Sequence, residues 1–382
     1  MKSVYVPILK AKQGEFDAIS HLSERTKQQI IPLFDIHQQD EKKANSVESF
    51  LCKVASGIVN VMRGKPIFMD LSQWAPNAQT KGGEHVIPYL RNRLAQDGVI
   101  VNPVVKYDSW DDPVYVNAMK SLRLEKGCNY CIRLNMDNGT IEDVKADPDY
   151  VAGRLNNIVE QLVINPYDIY LLIDFGDISS LRRSIEGMIN ETRQIISLAQ
   201  NIGFSQFMLA GASLPTSINH AVRERDSEGL VLRKEMITWQ ALLSENPRLN
   251  ITFADYGVRN PNSFDESGSG KNANGKIRHT VDNNSFIVRG HPLRRVDIHP
   301  DGFKQFFNLA QKVINSGYYR GKEFSWGDEQ ILLHSNPDSK TGSQTTWISI
   351  DTNHHIETVV MEILEFHLQL VAKEARRYKE DI

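Results

Sequence analysis

Eight apolar runs of six to eight residues recur along the first two thirds of the chain: VYVPILK (4–10), QIIPLFDI (29–36), PIFMDLS (66–72), IVNPVVKY (100–107), YCIRLN (130–135), IYLLIDF (169–175), SQFMLAGA (205–212) and NITFADY (250–256). Each is apolar almost throughout, the pattern of a strand buried on both faces, where a half-exposed strand would alternate. Between them the period changes. GEFDAISHLSERTKQ carries Phe16, Ile19 and Leu22, and DYVAGRLNNIVEQLV sets Val151, Leu155, Ile158 and Leu162 on one stripe. SIEGMINETRQIISLAQNIG runs to Gly203, a natural C-cap. Strand starts are spaced 25 to 45 residues apart, which suits repeated strand–helix units. Eight such units predict an α/β fold, a TIM-like (β/α)8 barrel over residues 1–257. A doubly wound open sheet usually has fewer strands, and no G-x-G-x-x-G follows the first strand here.

The pattern changes after residue 257. RNPNSFDESGSGKNANGK (259–276) reads as a polar loop, and its GSGK lacks the upstream glycine and the following Ser/Thr of a P-loop. KIRHTVDNNSFIVRG (276–290) predicts a β-hairpin turning at Asp282–Asn284, an insertion after strand eight with Arg289 closing its second strand. HPDGFKQFFNLAQKVINSG (299–317) predicts an amphipathic helix suited to be the eighth outer helix. FSWGDEQILLHS (324–335) is a further helix or strand, with Asp328 placed to cap a helix, and Trp347 is expected to pack.

The C-terminal extension (258–382), expected to pack on the barrel either as an addition to one large domain or as a second domain, ends in a long helix with a basic finish. In DTNHHIETVV (351–360), Thr352 or Asn353 is the natural N-cap, which places His354 and His355 in the first turn. Adjacent helical residues point about 100° apart, so the pair does not chelate one metal; i and i+4 would. The expectation is that one histidine faces the barrel mouth and meets a substrate or a rim carboxylate, while the other packs or caps.

Composition narrows the function. A chain of 382 residues with 41% hydrophobic and 24% charged residues can bury a sizeable core. A net charge of −3 gives no global basic footprint, and without a DNA-binding motif duplex DNA is the weakest partner. No apolar run approaches the roughly 18 residues of a membrane span, and the N-terminal stretch is too short in apolar residues for a signal peptide. Three cysteines make no disulfide framework and point to the cytoplasm. Cys128 and Cys131 form a C-x-x-C that enters a strand instead of opening a helix, which favours a structural role over a redox one.

In a TIM barrel the reacting groups sit at the C-terminal strand ends. Here these carry Lys10, Asp35, Asp70, Lys106, Arg133, Asp174 and Asp255, with Lys12, Tyr107, Asn135, Asp177, Ser213 and Tyr256 beside them. Two chemistries follow. Asp70, Asp174 and Asp255 could hold a divalent cation such as Mg2+ while Lys106 and Arg133 clamp a phosphate. Alternatively one carboxylate serves as acid or base and the cations position an anionic substrate. The plainer reading is a rim of salt bridges and caps. The candidate catalytic residues are Asp70, Asp174, Asp255 and His355; the candidate ligand-binding residues are Lys10, Lys106, Arg133, Arg289 and His354.

The strings YVPILKAKQGEFDAI, IIPLFDI, IRHT…FIVRG, YRGKEFSWGDEQI and TTWISIDTNHHIETVV together resemble the bacterial and phage beta protein family, found among mobile elements and phage-defence neighbourhoods. The likeness runs nearly end to end and is most specific at the C-terminal strings. It implies a cytoplasmic, antiviral setting and supplies no reaction. Where that pattern commonly has Tyr after IR, this chain has His279, so the position calls for a ring more than a hydroxyl. Two functions stand side by side. One is an enzyme, a phosphoester hydrolase, acting on a nucleotide or nucleic-acid end at the barrel mouth. The other is a non-catalytic sensor or adaptor that recognises a phage component or a protein partner encoded nearby. The oligomeric state is left open.

Overall fold

The computed structural model describes residues 4–38, 46–122, 124, 127–136, 140–180, 182–263, 273–294 and 300–380. Its strands are β1 (Tyr5–Lys10), β2 (Leu33–Asp35), β3 (Pro66–Asp70), β4 (Ile100–Lys106), β5 (Cys131–Asn135), β6 (Tyr170–Asp177), β7 (Gln206–Ala212), β8 (Ser227–Leu232), β9 (Ile251–Asp255), β10 (Asn274–Val281) and β11 (Asn284–Pro292). The eight runs expected to be strands form a closed parallel barrel in the order β1 to β7 and then β9, which pairs back onto β1. Period-two alternation divides each strand. Val6, Ile8, Leu33, Phe68, Val104, Cys131, Leu172, Met208 and Ala254 fill the barrel, and their neighbours face the helices in the main core. Cys131 is thus a packed interior thiol, which burial pushes up, and it takes no part in a disulfide.

Strand β8 was not expected. SEGLVL is short and half polar, so its strand propensity is weak, and it lies between the last two barrel strands in sequence. It leaves the barrel and pairs antiparallel with β11, making a three-stranded sheet β10–β11–β8. The hairpin turns where expected, with Asp282 in the left-handed region at φ 47°.

Helix Gln305–Asn315 buries Phe306, Leu309, Ala310 and Val313 against Ile277, Phe286, Val288 and Trp347 of this second layer. It therefore belongs to a roof over the barrel, and the role of eighth outer helix expected for it falls to another element. The terminal helix Gln344–Glu380 fills that role, with Ile356, Val359, Val360 and Ile363 in the main core. It lies so close to helix Gln13–Ser20 that a Cβ on Gly14 would stand 2.9 Å from Ile348 Cγ2.

Two caps differ from expectation. Helix Trp326–His334 is capped by Ser325, whose hydroxyl accepts from the Asp328 amide at 3.0 Å; Asp328 is in the first turn. The terminal helix starts more than two turns before Asn353, so Thr352 and Asn353 are interior and the histidines do not feel a free N-terminus. Asn353 instead bridges elements, accepting from the Gly327 amide at 2.9 Å and donating to the Ala18 carbonyl at 3.0 Å. Among the described residues no helix is long and apolar enough to cross a membrane.

Candidate functional site

Parallel register sets Lys10 beside Asp35, Asp35 beside Asp70, and Lys106 beside Arg133. These residues share the inward parity of Ile8, Leu33, Phe68, Val104 and Cys131, so they make one charged layer at the top of the barrel interior. Arg133 organises it. Its Nε donates to Asp174 Oδ2 at 2.8 Å, its Nη2 to the same oxygen at 2.5 Å and to the Tyr256 hydroxyl at 2.6 Å, and its Nη1 to Asp70 Oδ2. The second oxygens are taken too: Asp70 Oδ1 accepts from the Ser72 amide at 2.7 Å and Asp174 Oδ1 from the Gly176 amide at 2.9 Å. Burial works against the guanidinium's charge, but Tyr256, Asp174, Asp70 and Asp35 outweigh it and hold the group well above its ordinary range. A guanidinium thus stands between Asp70 and Asp174, where one of the two chemistries would have placed a divalent cation. Buried charges tolerate this only when paired and fully hydrogen-bonded, as these are.

Asp35 is the exception. Its Oδ2 accepts from Gln73 at 3.3 Å, and its Oδ1 has no hydrogen-bond partner among the described residues. Burial first, and the neighbouring Asp70 second, push it up to about 7. Lys10 donates to the Ser263 carbonyl at 2.9 Å, and burial together with Arg259 brings it down to about 8. Lys106 donates to the Ser72 carbonyl at 2.9 Å and so braces the loop after β3.

Asp255 belongs elsewhere. Ala254 and Tyr256 point into the barrel, so the residue between them points out, towards the terminal helix. It accepts from Tyr5 at 2.5 Å, lies 3.0 Å from His355 Nε2 and 3.6 Å from Arg233. Burial alone would raise its pKa, but His355, Arg233 and Tyr5 together hold it at about 2. His355 Nδ1 is 2.7 Å from the Thr280 hydroxyl. The order Thr280–His355–Asp255 matches that of a nucleophile, a base and an orienting acid. Thr280 is 1% exposed, however, and the three link hairpin, helix and barrel wall.

His354 sits 2.7 Å from Asp328 and 2.9 Å from the Thr280 carbonyl, with its ring stacked on His279 at 3.7 Å. One histidine does meet a strand-end carboxylate and the other packs, but both are buried beneath the roof and neither looks into an open mouth. His279, Asp328 and His354 bring ligand atoms within 4.8 Å of one another. The two rings are tilted by only 16°, so their in-plane lone pairs run side by side and do not converge on one ion. Arg289 lies inside β11, not at its end, and donates to the Val222 carbonyl at 2.7 Å and to that of Arg223, far in role from the barrel charges.

The open space is above the charged layer. A cavity of about 340 Å3 lies between the loops after β1, β7 and β9 and the roof. Lys12, Arg259, Lys276 and Arg278 line it, and among the described residues Glu15 is the one carboxylate in the lining. Arg259 pairs with Glu15 at 3.0 Å, and Arg278 with Asp351 at 2.9 Å. Helix Gln13–Ser20 opens at the cavity wall, so its first amides add a positive end to the same space. Phe306, Trp347 and Ile348 give one side an apolar surface.

The Beta protein family profile matches residues 5–361, nearly the whole length. The chain belongs to the Beta protein family. No curated protein matches it. Among solved structures, tryptophan synthase from M. tuberculosis in its aminoacrylate- and BRD0059-bound form is similar over 67% of this chain and 84% of its own, at 9% identity and a TM-score of 0.33. In this Beta protein the C-terminal strings lock together. Arg278 of IRHT meets Asp351, while Gly327 and Asp328 of SWGD meet Asn353 and His354. The ring of His279 is used for stacking, as the exchange with Tyr suggested.

Sequence reasoning missed the cavity cations Arg259, Lys276 and Arg278, because none lies at a strand end. It named Lys12 and Asp35 as strand-end residues without singling them out. The signal for Asp35 was its parity with Leu33, which puts it inside the barrel with no cation assigned to it.

Proposed function

We propose that this Beta protein binds a small phosphate-bearing ligand, of nucleotide or sugar-phosphate size, in the cavity above its barrel, and acts there as a binding module. The observation that carries this reading is the lining, in which four cations and a helix N-terminus face one carboxylate. A volume of about 340 Å3 is within the range of small-molecule sites. Hydrolysis is the weaker choice because the carboxylates expected to do it are occupied, Asp70 and Asp174 by Arg133 and Asp255 by Tyr5 and His355. The antiviral setting is supported by the family likeness alone and makes the ligand a signal met during infection.

Titration calorimetry with inorganic phosphate, nucleoside monophosphates and uncharged nucleosides tests the reading. Phosphate-bearing compounds should bind, nucleosides should not, and Lys12→Ala/Lys276→Ala should weaken binding at least tenfold. No binding of any phosphate compound at millimolar concentration would sink it. In plaque assays the same double variant should lose protection.

A further inference from the structure

Beside the cavity, and sharing part of its wall, lies a smaller space of about 10 Å3, the throat. Lys10, Asp35, Tyr256 and Thr352 line the throat. Glu15, Val258, Arg259 and Asn260 are walls common to both spaces. Asp35 is 2% exposed, and among the described residues its Oδ1 has no partner. The other two carboxylates of the layer have both oxygens engaged, whereas Asp35 Oδ1 is buried with no partner among the described residues, a state that calls for an explanation.

We infer that Asp35 determines which phosphate compound the cavity accepts, its Oδ1 taking a hydrogen bond from a hydroxyl or amino group of the ligand that enters the throat. This rests on the reading of the cavity as a phosphate site. A space of that size admits about one water-sized group, so a hydroxyl or amine fits and a ring does not. The ligand is then a phosphorylated compound with a donor, a sugar phosphate or nucleotide, as opposed to a bare or alkyl phosphate. A site built around a buried acceptor discriminates strongly against an analogue that leaves it unpaired.

The surroundings of Asp35 make that bond sensitive to pH. Burial and Asp70 raise it to about 7, Arg133 and Lys10 oppose the rise, and Asp174 adds to it. Tyr256 and Gln73 complete the facing groups. A donor on the ligand favours the ionised carboxylate, so affinity should increase as pH rises through about 7.

Calorimetry on the full chain with ribose 5-phosphate, adenosine monophosphate, propyl phosphate and inorganic phosphate tests the inference. The wild type should prefer the donor-bearing compounds by tenfold or more. Asp35→Ala should abolish that preference and leave propyl phosphate unchanged, with circular dichroism confirming the fold. Asp35→Asn keeps an acceptor but does not titrate, so between about pH 6 and 8 it should keep only the slope set by the ligand phosphate's own second ionisation near 6, with the wild type steeper. A wild type without preference, a preference that survives in Asp35→Ala, or equal pH slopes in wild type and Asp35→Asn would overturn it. If no phosphate compound binds the wild type, the reading of the cavity falls, and this one with it.

Discussion

Two buried aspartates at neighbouring levels of one barrel hold their protons in opposite ways. Asp255 is held at about 2 by His355, Arg233 and Tyr5 against the effect of burial, while Asp35 is pushed up to about 7 by burial and Asp70. The signs of their stability contributions differ accordingly. A depressed carboxylate stabilises the fold above its unfolded pKa near 4 and loses that contribution as pH falls towards 2, here on the order of 2 kcal/mol. A raised one does the reverse, and stability drains away as pH climbs from about 4 to about 7. Urea unfolding of Asp255→Asn should therefore show a flatter acid limb than the wild type. Asp35→Asn should gain stability over the wild type progressively between about pH 4 and 7, with little further gain above. At this scale the charged layer was legible from strand ends alone, since Lys10, Asp70, Arg133 and Asp174 do share one space. Asp255 was wrongly grouped with them because strand position was read without parity. One residue of shift in NITFADY turns a side chain from the barrel interior to its outer wall.

The terminal helix carries a buried polar stripe, and each member meets a different element. Asp351 binds Arg278 of β10, His354 binds Asp328, His355 binds Asp255 of β9, and Glu362 binds Arg233 at 2.7 Å. The last three lie three, four and eleven residues on from Asp351, which keeps all of them within one stripe of about 100°, so the helix fastens roof to barrel by side chains that are costly to leave unpaired. Arg278→Ala should destabilise the chain by about 3–5 kcal/mol by stranding Asp351, and Arg278→Ala/Asp351→Ala should lose less than the two single changes combined; urea unfolding of the four chains measures this. Gly14→Val would drive a side chain into Ile348, and thermal melts should show a loss of about 1–3 kcal/mol. The helix itself was legible, but its start was not. TTWISI is rich in β-branched residues, which hide a helical stretch, whereas DTN imitates an N-cap. The real cap is Ser343, which accepts from the Thr346 amide at 3.1 Å.

Over the whole molecule, barrel and roof are interleaved. Strand β8 leaves the connection between the last two barrel strands to pair with a hairpin that follows the barrel, and the chain then returns to the barrel as its final helix. The expected division at residue 257 marks where the barrel strands end, but it does not separate two bodies of structure. The barrel was readable because each of its units repeats one pattern. The roof was not, because its pairings join segments that no local period relates. A ligand in the cavity touches both layers and should stabilise them as one unit, by about 3 kcal/mol at a hundred times its Kd. Hydrogen exchange with and without phosphate should then slow together at residues 12–15, 274–278 and 344–348, and protection confined to one segment would argue against a shared site.

The walls of the cavity run from Lys12 to Ile348 along the chain. At about 5–20 residues per second, roughly 20–70 s separate the synthesis of the first wall from that of the last. A ligand bound as proposed could not report on a shorter nascent chain, because the cavity is complete only when synthesis has passed the start of the final helix. On the proposed reading, any signal is met only by chains that extend past Ile348.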